Sequence, residues 1–237
     1  MAFYSEFARY YDRIFPFNHD VARCLETHLP DPPARVLDVG CGTGAYAAYL
    51  ARRGFEVEAI DLDIAMIREA ESRYPGVRFR VLDMREIHTL EGSFQAIYCI
   101  GNTAAHLPHD EFVGFLRHVY ALLNPGGVWL LQIMNWDYVL AQESVTFPEL
   151  RSHDGLVFHR IYREVSSARV TFTTRLERDG DTVFEAETPL YPWRWADLCR
   201  VHGELGFDLE AHLGSFRGDA FDEAAFSADI SVWRRAL

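Results

Sequence analysis

Apolar positions between residues 36 and 134 fall into five short runs, at 36–39, 57–60, 79–82, 96–100 and 128–134, rich in Val, Ile and Leu. Runs of this length and composition predict strands buried on both faces, as in a parallel sheet. Between them the spacing becomes helical. From about Asp110, the side chains of Phe112, Phe115, Leu116, Val119, Leu122 and Leu123 share one face, and Pro125-Gly126-Gly127 ends the pattern. A second helical stretch runs from Asp63 to just before Pro75-Gly76, and a third from about Ala45 to Gly54. Strands alternating with helices predict a doubly wound α/β domain, its sheet covered on both sides.

After residue 140 the period drops to two. Val170, Phe172, Thr174 and Leu176 alternate with polar neighbours, Arg178-Asp179-Gly180-Asp181 supplies a turn, and Phe184, Ala186, Thr188 and Leu190 alternate again. Residues 156–165 predict a third antiparallel strand. A helix over 193–205, closed by Gly206, and strands near 207–213 and 230–234 complete a mostly parallel, seven-stranded Rossmann-like sheet. The expected organisation is therefore one domain over residues 1–237. It carries an N-terminal helical lid over 1–30 and an antiparallel β insertion over 144–192, after the fifth strand, that caps the substrate.

Composition narrows the partners. The 237 residues, 49% hydrophobic and 24% charged, suit one globular domain, and 35 acidic against 23 basic residues give a formal charge of −12. That balance disfavours nucleic acid, whose affinity rests on Lys and Arg neutralising phosphates, and an anionic membrane surface. No apolar run approaches the roughly 18 residues of a membrane span. Cys24, Cys41, Cys99 and Cys199 stand apart without paired spacing, which predicts neither a disulfide framework nor a zinc site. A small-molecule substrate and a reducing cytoplasm are expected.

The chemistry concentrates in Val36-Leu37-Asp38-Val39-Gly40-Cys41-Gly42-Thr43-Gly44, where a strand gives way to a helix through three alternate glycines. Such a turn lets the backbone approach a ligand closely. The spacing departs from the dinucleotide fingerprint, and Asp38 would repel a pyrophosphate but hold a cationic amino group. Both features disfavour a nucleotide-dependent oxidoreductase. Asp61 closes the next strand, where a carboxylate at the switch point accepts ribose hydroxyls. The third strand ends in Asp83-Met84, suited to an adenine amino group and ring face.

With these motifs the sequence resembles the class I S-adenosylmethionine-dependent methyltransferases over nearly its whole length. The resemblance implies that Gly40, Cys41, Gly42 and Gly44, with Asp38, hold the methionine moiety of S-adenosyl-L-methionine. It implies that Asp61 binds the ribose and Asp83-Met84 frames adenine. Leu62 and Met66 would pack on the cofactor, and Cys99-Ile100 would pass beneath it. Asn124-Pro125-Gly126-Gly127 matches the family's turn before the fifth strand. Tyr4, Tyr10, Tyr11 and Asp12 resemble a segment that lies over the cofactor in small-molecule methyltransferases. Residues 101–107 (Gly-Asn-Thr-Ala-Ala-His-Leu) and 134–138 (Met-Asn-Trp-Asp-Tyr) are similar to the glycine/sarcosine N-methyltransferases, and amino-sugar N-methyltransferases share the style of insertion. Met134 departs from the glycine type, where a basic residue precedes the Asn.

The expected reaction is in-line transfer of a methyl group to a small-molecule amine nitrogen, leaving S-adenosyl-L-homocysteine. O-methylation of a small phenol or carboxylic acid and cofactor binding without turnover are the alternatives. His106 and Tyr11 are the candidate catalytic residues, each able to take the acceptor's proton. Asn102, His106, Asn135 and Arg160 are the candidate acceptor contacts. His106 and His109 lie at metal-ligand spacing, but no third ligand accompanies them, so no metal is expected. The insertion is expected to choose the acceptor without affecting cofactor affinity.

Overall fold

The computed structural model describes residues 7–237. Tyr4 lies outside the described residues. Seven strands form the main sheet: β1 (Arg35–Val39), β2 (Glu56–Asp61), β3 (Arg78–Val81), β4 (Phe94–Cys99), β5 (Leu123–Met134), and, later in sequence, Phe207–Leu213 and Ala228–Arg235. Five further strands, β6 (Val145–Thr146), β7 (Leu150–Arg151), β8 (Leu156–Arg163), β9 (Val170–Arg178) and β10 (Asp181–Leu190), make a second sheet. The last two strands of the main sheet are thus β11 and β12. The order of the main sheet is β11-β12-β5-β4-β1-β2-β3. Its first five strands pair in parallel, and β12 runs antiparallel to both β5 and β11.

Helices α1 (His19–His28), α2 (Ala45–Arg52), α3 (Ile64–Arg73), α4 (His109–Leu122), α5 (Trp136–Leu140) and α6 (Trp195–Leu205) dress the sheet. Each begins or ends where local chemistry requires. Asp63 accepts bonds from the Ala65 and Met66 amides, satisfying orphan donors at the start of α3. Gly206 closes α6 in the left-handed conformation. On α4 the expected stripe is buried: Phe112, Phe115, Leu116, Val119 and Leu122 pack with Ile97, Trp129 and Leu131 on one face of the sheet. On the other face Leu25 of α1 and Leu50 of α2 enclose Val36, Ala96 and Leu130.

One strand boundary differs from the expectation, and two expected features gain structural detail. The fifth strand begins at Leu123, directly after α4, and runs through Pro125-Gly126-Gly127, because Leu123 already pairs with Phe94. Residues 19–28 form a layer helix with Val21, Ala22, Cys24 and Leu25 buried, and the turn Tyr11–Ile14, preceded by Ala8–Tyr10, brings Tyr11 to Gly42. The insertion, finally, is packed into the core on two sides. Val170, Leu190 and Tyr162 belong to the main core, while Leu156, Phe158, Leu176 and Phe184 bury Phe7 and Ile14 of the N-terminal turns. Phe7 stacks on Phe158 with ring centroids 4.9 Å apart. Among the described residues, no helix is long and apolar enough to cross a membrane.

Candidate active site

At the carboxyl end of the parallel strands the Gly-rich turn joins β1 to α2. Gly42 has φ +54°, and a Cβ added there would stand 3.6 Å from the Tyr11 ring. Gly44, at φ +78°, is held for another reason: its Cβ would meet the Phe79 ring at 2.5 Å. One glycine opens the turn toward Tyr11, and the other lets the helix settle on β3. Gly40 and Cys41 donate their amides to the Ile60 carbonyl, pinning the turn to β2.

Asp61 is the centre of this arrangement. One of its carboxylate oxygens accepts from the Gly42 amide at 2.9 Å and the other from the Asp63 amide at 2.9 Å. Burial raises its pKa, and the two amides partly oppose that rise. Each oxygen keeps a lone pair, so the carboxylate can still accept from a vicinal diol. Asp38 is 2% exposed. The Tyr98 hydroxyl donates to it at 2.6 Å across the β1–β4 pair. Burial pushes its carboxyl up to about 7, against the Tyr98 bond and with the help of repulsion from Asp61. A buried and a half-buried carboxyl beside one turn favour a ligand that brings positive charge.

The apolar half of the site lies next to them. Leu62, Ile64 and Val81 are exposed large side chains at the ends of β2 and β3, while Met66, Cys99 and Ile100 are buried beneath. The thiols of Cys41 and Cys99 are pushed up, chiefly by burial and then by Asp38, so both stay protonated. Met84 is partly buried against the main core. Asp83 is engaged by Arg85, which donates its backbone amide at 2.9 Å and its side chain to both carboxylate oxygens. That partnership holds the Asp83 carboxyl below its ordinary range.

A short turn after β4, Thr103–His106, sits beside the Gly-rich turn, since a Cβ on Gly40 would collide with Thr103. Asn102 organises this corner. Its oxygen accepts from the Met134 amide at 3.0 Å and its amide group donates to the Tyr162 hydroxyl at 3.3 Å, tying β4, β5 and the insertion together. Burial pushes the His106 imidazole down to about 4, so it is neutral near pH 7. A base that weak orients a substrate by hydrogen bonding better than it takes an ammonium proton. His109 bonds the Pro192 carbonyl at 2.8 Å.

Two candidates are occupied elsewhere. Asn135 is 1% exposed. Its oxygen caps α5 through the Tyr138 amide, and its amide nitrogen reaches the carbonyls of Asp222, Glu223 and Ala225. Its amide nitrogen is thereby engaged in anchoring the β11–β12 loop. Arg160 lies 4.9 Å over the Phe147 ring and donates to the Pro148 carbonyl, within the insertion.

Sequence reasoning missed the residues that tie the N-terminal turns down. Thr43 donates to Asp12 at 2.5 Å, and Arg73 of α3 pairs with the same carboxylate. Arg13 reaches Asp154 at 2.9 Å. Tyr11 is therefore carried by a segment fixed on one side to the Gly-rich turn and on the other to the insertion. Only the Asp12 match in the aromatic segment pointed toward it. Tyr98 carried no signal beyond its place in a buried strand.

Residues 36–127 match a family model described as a methyltransferase domain. Over 205 residues the chain is 27% identical to a glycine/sarcosine N-methyltransferase of Parasynechococcus marenigrum, covering 83% of this chain and 70% of that protein. The chain spans about half the length of the first curated relatives it matches. Its fold is similar to that of an S-adenosylmethionine-dependent methyltransferase from Clostridium acetobutylicum, with TM-score 0.80, 18% identity and 99% of both chains covered. It is also similar to an S-adenosylmethionine-bound amino pentose methyltransferase from Micromonospora echinaspora, with TM-score 0.66, 24% identity, and 92% of this chain and 89% of that one covered.

Proposed function

We propose that this chain, a member of the class I S-adenosylmethionine-dependent methyltransferases, transfers the methyl group to the amine nitrogen of a small molecule. The observation that carries the reading is the Asp61 carboxylate bonded to the Gly42 amide, beneath Tyr11 and beside the buried Asp38. The donor set fits the cofactor. Asp38 suits its ammonium group, Asp61 its ribose diol, and the apolar edge formed by Leu62, Ile64 and Val81 its adenine ring. When bound, the cofactor supplies an activated methyl on a sulfonium.

What remains for the protein is placement. Holding an acceptor at about 3–3.5 Å in line with the methyl supplies roughly 7–11 kcal/mol of the barrier reduction without a dedicated base. Tyr11, above Gly42, closes the turn from solvent, and neutral His106 orients the acceptor nitrogen. An aliphatic amine has a pKa of about 10 and must lose its proton before attack. His106, at about 4, is too weak for that step, so the proton goes to water or to the Tyr11 side of the site. The names of the relatives include a glycine/sarcosine N-methyltransferase, which supports nitrogen, and a ubiquinone biosynthesis O-methyltransferase, which keeps oxygen as the alternative.

Methyl-labelled cofactor incubated with the chain and a panel of amines, phenols and carboxylic acids tests the reading. Label in an amine is the expected outcome; label confined to phenols or acids would replace it with O-methylation. In parallel, Asp61→Ala is expected to weaken S-adenosylhomocysteine binding at least ~10-fold, or about 1.4 kcal/mol. Equal affinities by calorimetry would remove Asp61 from the site, and a chain that binds the cofactor but labels nothing would support binding without turnover.

A further inference from the structure

Tyr98 stands in register with Asp38 across the β1–β4 pair, on the face of the sheet filled by Val36, Ala96 and Leu130. It is fully buried among these apolar neighbours. A phenylalanine would fill the same space, so packing does not call for the hydroxyl. The hydroxyl donates to one carboxylate oxygen of Asp38, Oδ2, at 2.6 Å, and among the described residues it makes no other hydrogen bond. A buried hydroxyl is tolerated where it is bonded in this way. The second Asp38 oxygen, Oδ1, accepts from no donor among the described residues and is not sealed from solvent, although the residue as a whole is only 2% exposed. One oxygen is therefore held from within the sheet, and the other is left for a donor from outside.

We propose that Tyr98 is a positioning residue of the cofactor site: it fixes Oδ2 of Asp38 and favours the charged carboxylate, leaving Oδ1 to receive the ammonium group of the cofactor. The inference rests on the methyl-transfer reading and adds to it a residue that acts through Asp38 alone. The surroundings of Asp38 show why a donor is needed. Its titratable neighbours are Asp61 of β2, Cys99 of β4, Cys41 of the Gly-rich turn, Tyr46 of α2 and Tyr98 itself. None brings positive charge, and among the described residues no arginine or histidine pairs with Asp38. Burial and Asp61 both favour the protonated acid, and the Tyr98 bond opposes them. That bond is present with and without ligand, so it adds nothing to the grip of an ionised Asp38 on the ammonium. It raises the fraction of chains whose carboxyl is already ionised. Its loss should therefore weaken binding below the pH at which Asp38 ionises and leave binding unchanged above it. A side chain that only shaped the site would act equally at every pH.

The test compares S-adenosylhomocysteine affinity in the wild type and in Tyr98→Phe, by calorimetry at pH 6 and pH 9. The variant keeps the buried ring, so the core stays filled. The ligand's own titration is common to both chains and cancels in their ratio. Binding by Tyr98→Phe is expected to be at least ~10-fold weaker at pH 6 and within about 2-fold of the wild type at pH 9. In an Asp38→Asn background the same substitution should change affinity by less than about 2-fold at either pH. The proposal is overturned if the ratio is the same at both pH values, or if the effect survives Asp38→Asn. The free chain gives a second reading. The carboxyl carbon NMR signal that Asp38→Asn removes should titrate about 1 pH unit higher in Tyr98→Phe, and an unmoved midpoint also overturns the proposal. A wild type that binds no S-adenosylhomocysteine at either pH would instead overturn the methyl-transfer reading, and the free-chain titration would still decide whether Tyr98 governs Asp38.

Discussion

Asp38 sits on a central strand with its carboxyl removed from water, and its ordinary ionisation is suppressed for that reason. At pH 6 a group pushed up to about 7 is mostly protonated in the folded chain, whereas in an unfolded chain, near 3.9, it is ionised. Its contribution to stability is therefore largest at low pH and is lost as pH rises through about 7. A ligand ammonium placed beside it reverses the preference and drives the proton off. Near pH 6, binding of S-adenosylhomocysteine should release a proton, visible as a calorimetric enthalpy that changes with the buffer's ionisation heat. Asp38→Asn should abolish that dependence, and a wild-type enthalpy indifferent to buffer would place Asp38 outside the ammonium site. At this scale the sequence was readable where a residue type and its neighbours in the chain suffice: the Gly-rich turn, and Asp61 at a strand end. It was silent where a partner comes from far along the chain. Tyr98 meets Asp38 across 60 residues, and the three loop carbonyls that occupy Asn135 lie 87 to 90 residues away. Asp83 finds its partner nearer, in Arg85 two residues on.

The two helical turns over 8–14 are too short to be stable alone, helices of that length being marginal in water. What holds them is Phe7, 1% exposed among Phe158, Phe184 and Tyr11, together with the Asp12 and Arg13 contacts. Truncating a fully buried Phe typically costs about 3–5 kcal/mol. Phe7→Ala should then speed amide exchange over residues 8–15 by on the order of 100-fold while leaving Leu37 and Ile97 protected. Asp12→Ala, losing one charged bond network, should give a smaller change of roughly 10-fold. Hydrogen exchange followed by mass spectrometry decides this; equal protection in wild type and Phe7→Ala would mean that the aromatic cluster does not hold the segment. Elements with a long, repeated period were legible, α4 and the β9–β10 hairpin above all. The two-residue strands β6 and β7 have no period to show. The early start of β5 was hidden because a Pro-Gly-Gly run signals a turn unless its partner strand is known.

Across the whole molecule the insertion packs on the N-terminal turns that place Tyr11 against the Gly-rich turn, so in the proposed reaction acceptor choice and cofactor affinity are expected to be coupled. Leu176 and Phe184 of the hairpin bury Phe7, and Phe7 belongs to the segment that carries Tyr11. Replacing residues 170–190 with a short Gly-containing turn should therefore weaken S-adenosylhomocysteine binding at least ~5-fold as well as altering acceptor range. Affinity unchanged in that variant would show that the two parts act independently. The position of β12 has a separate consequence, for the order of assembly. It enters the sheet between β5 and β11, pairing Arg234 with Val128 and Ala228 with Met134, and so pairs with a strand about 100 residues earlier in the chain. Until it arrives, β5 and β11 each present an open edge, and such edges invite pairing with other chains. A growing chain on the ribosome thus holds a half-closed sheet, exposed to aggregation, until the segment after residue 228 emerges and closes it from within.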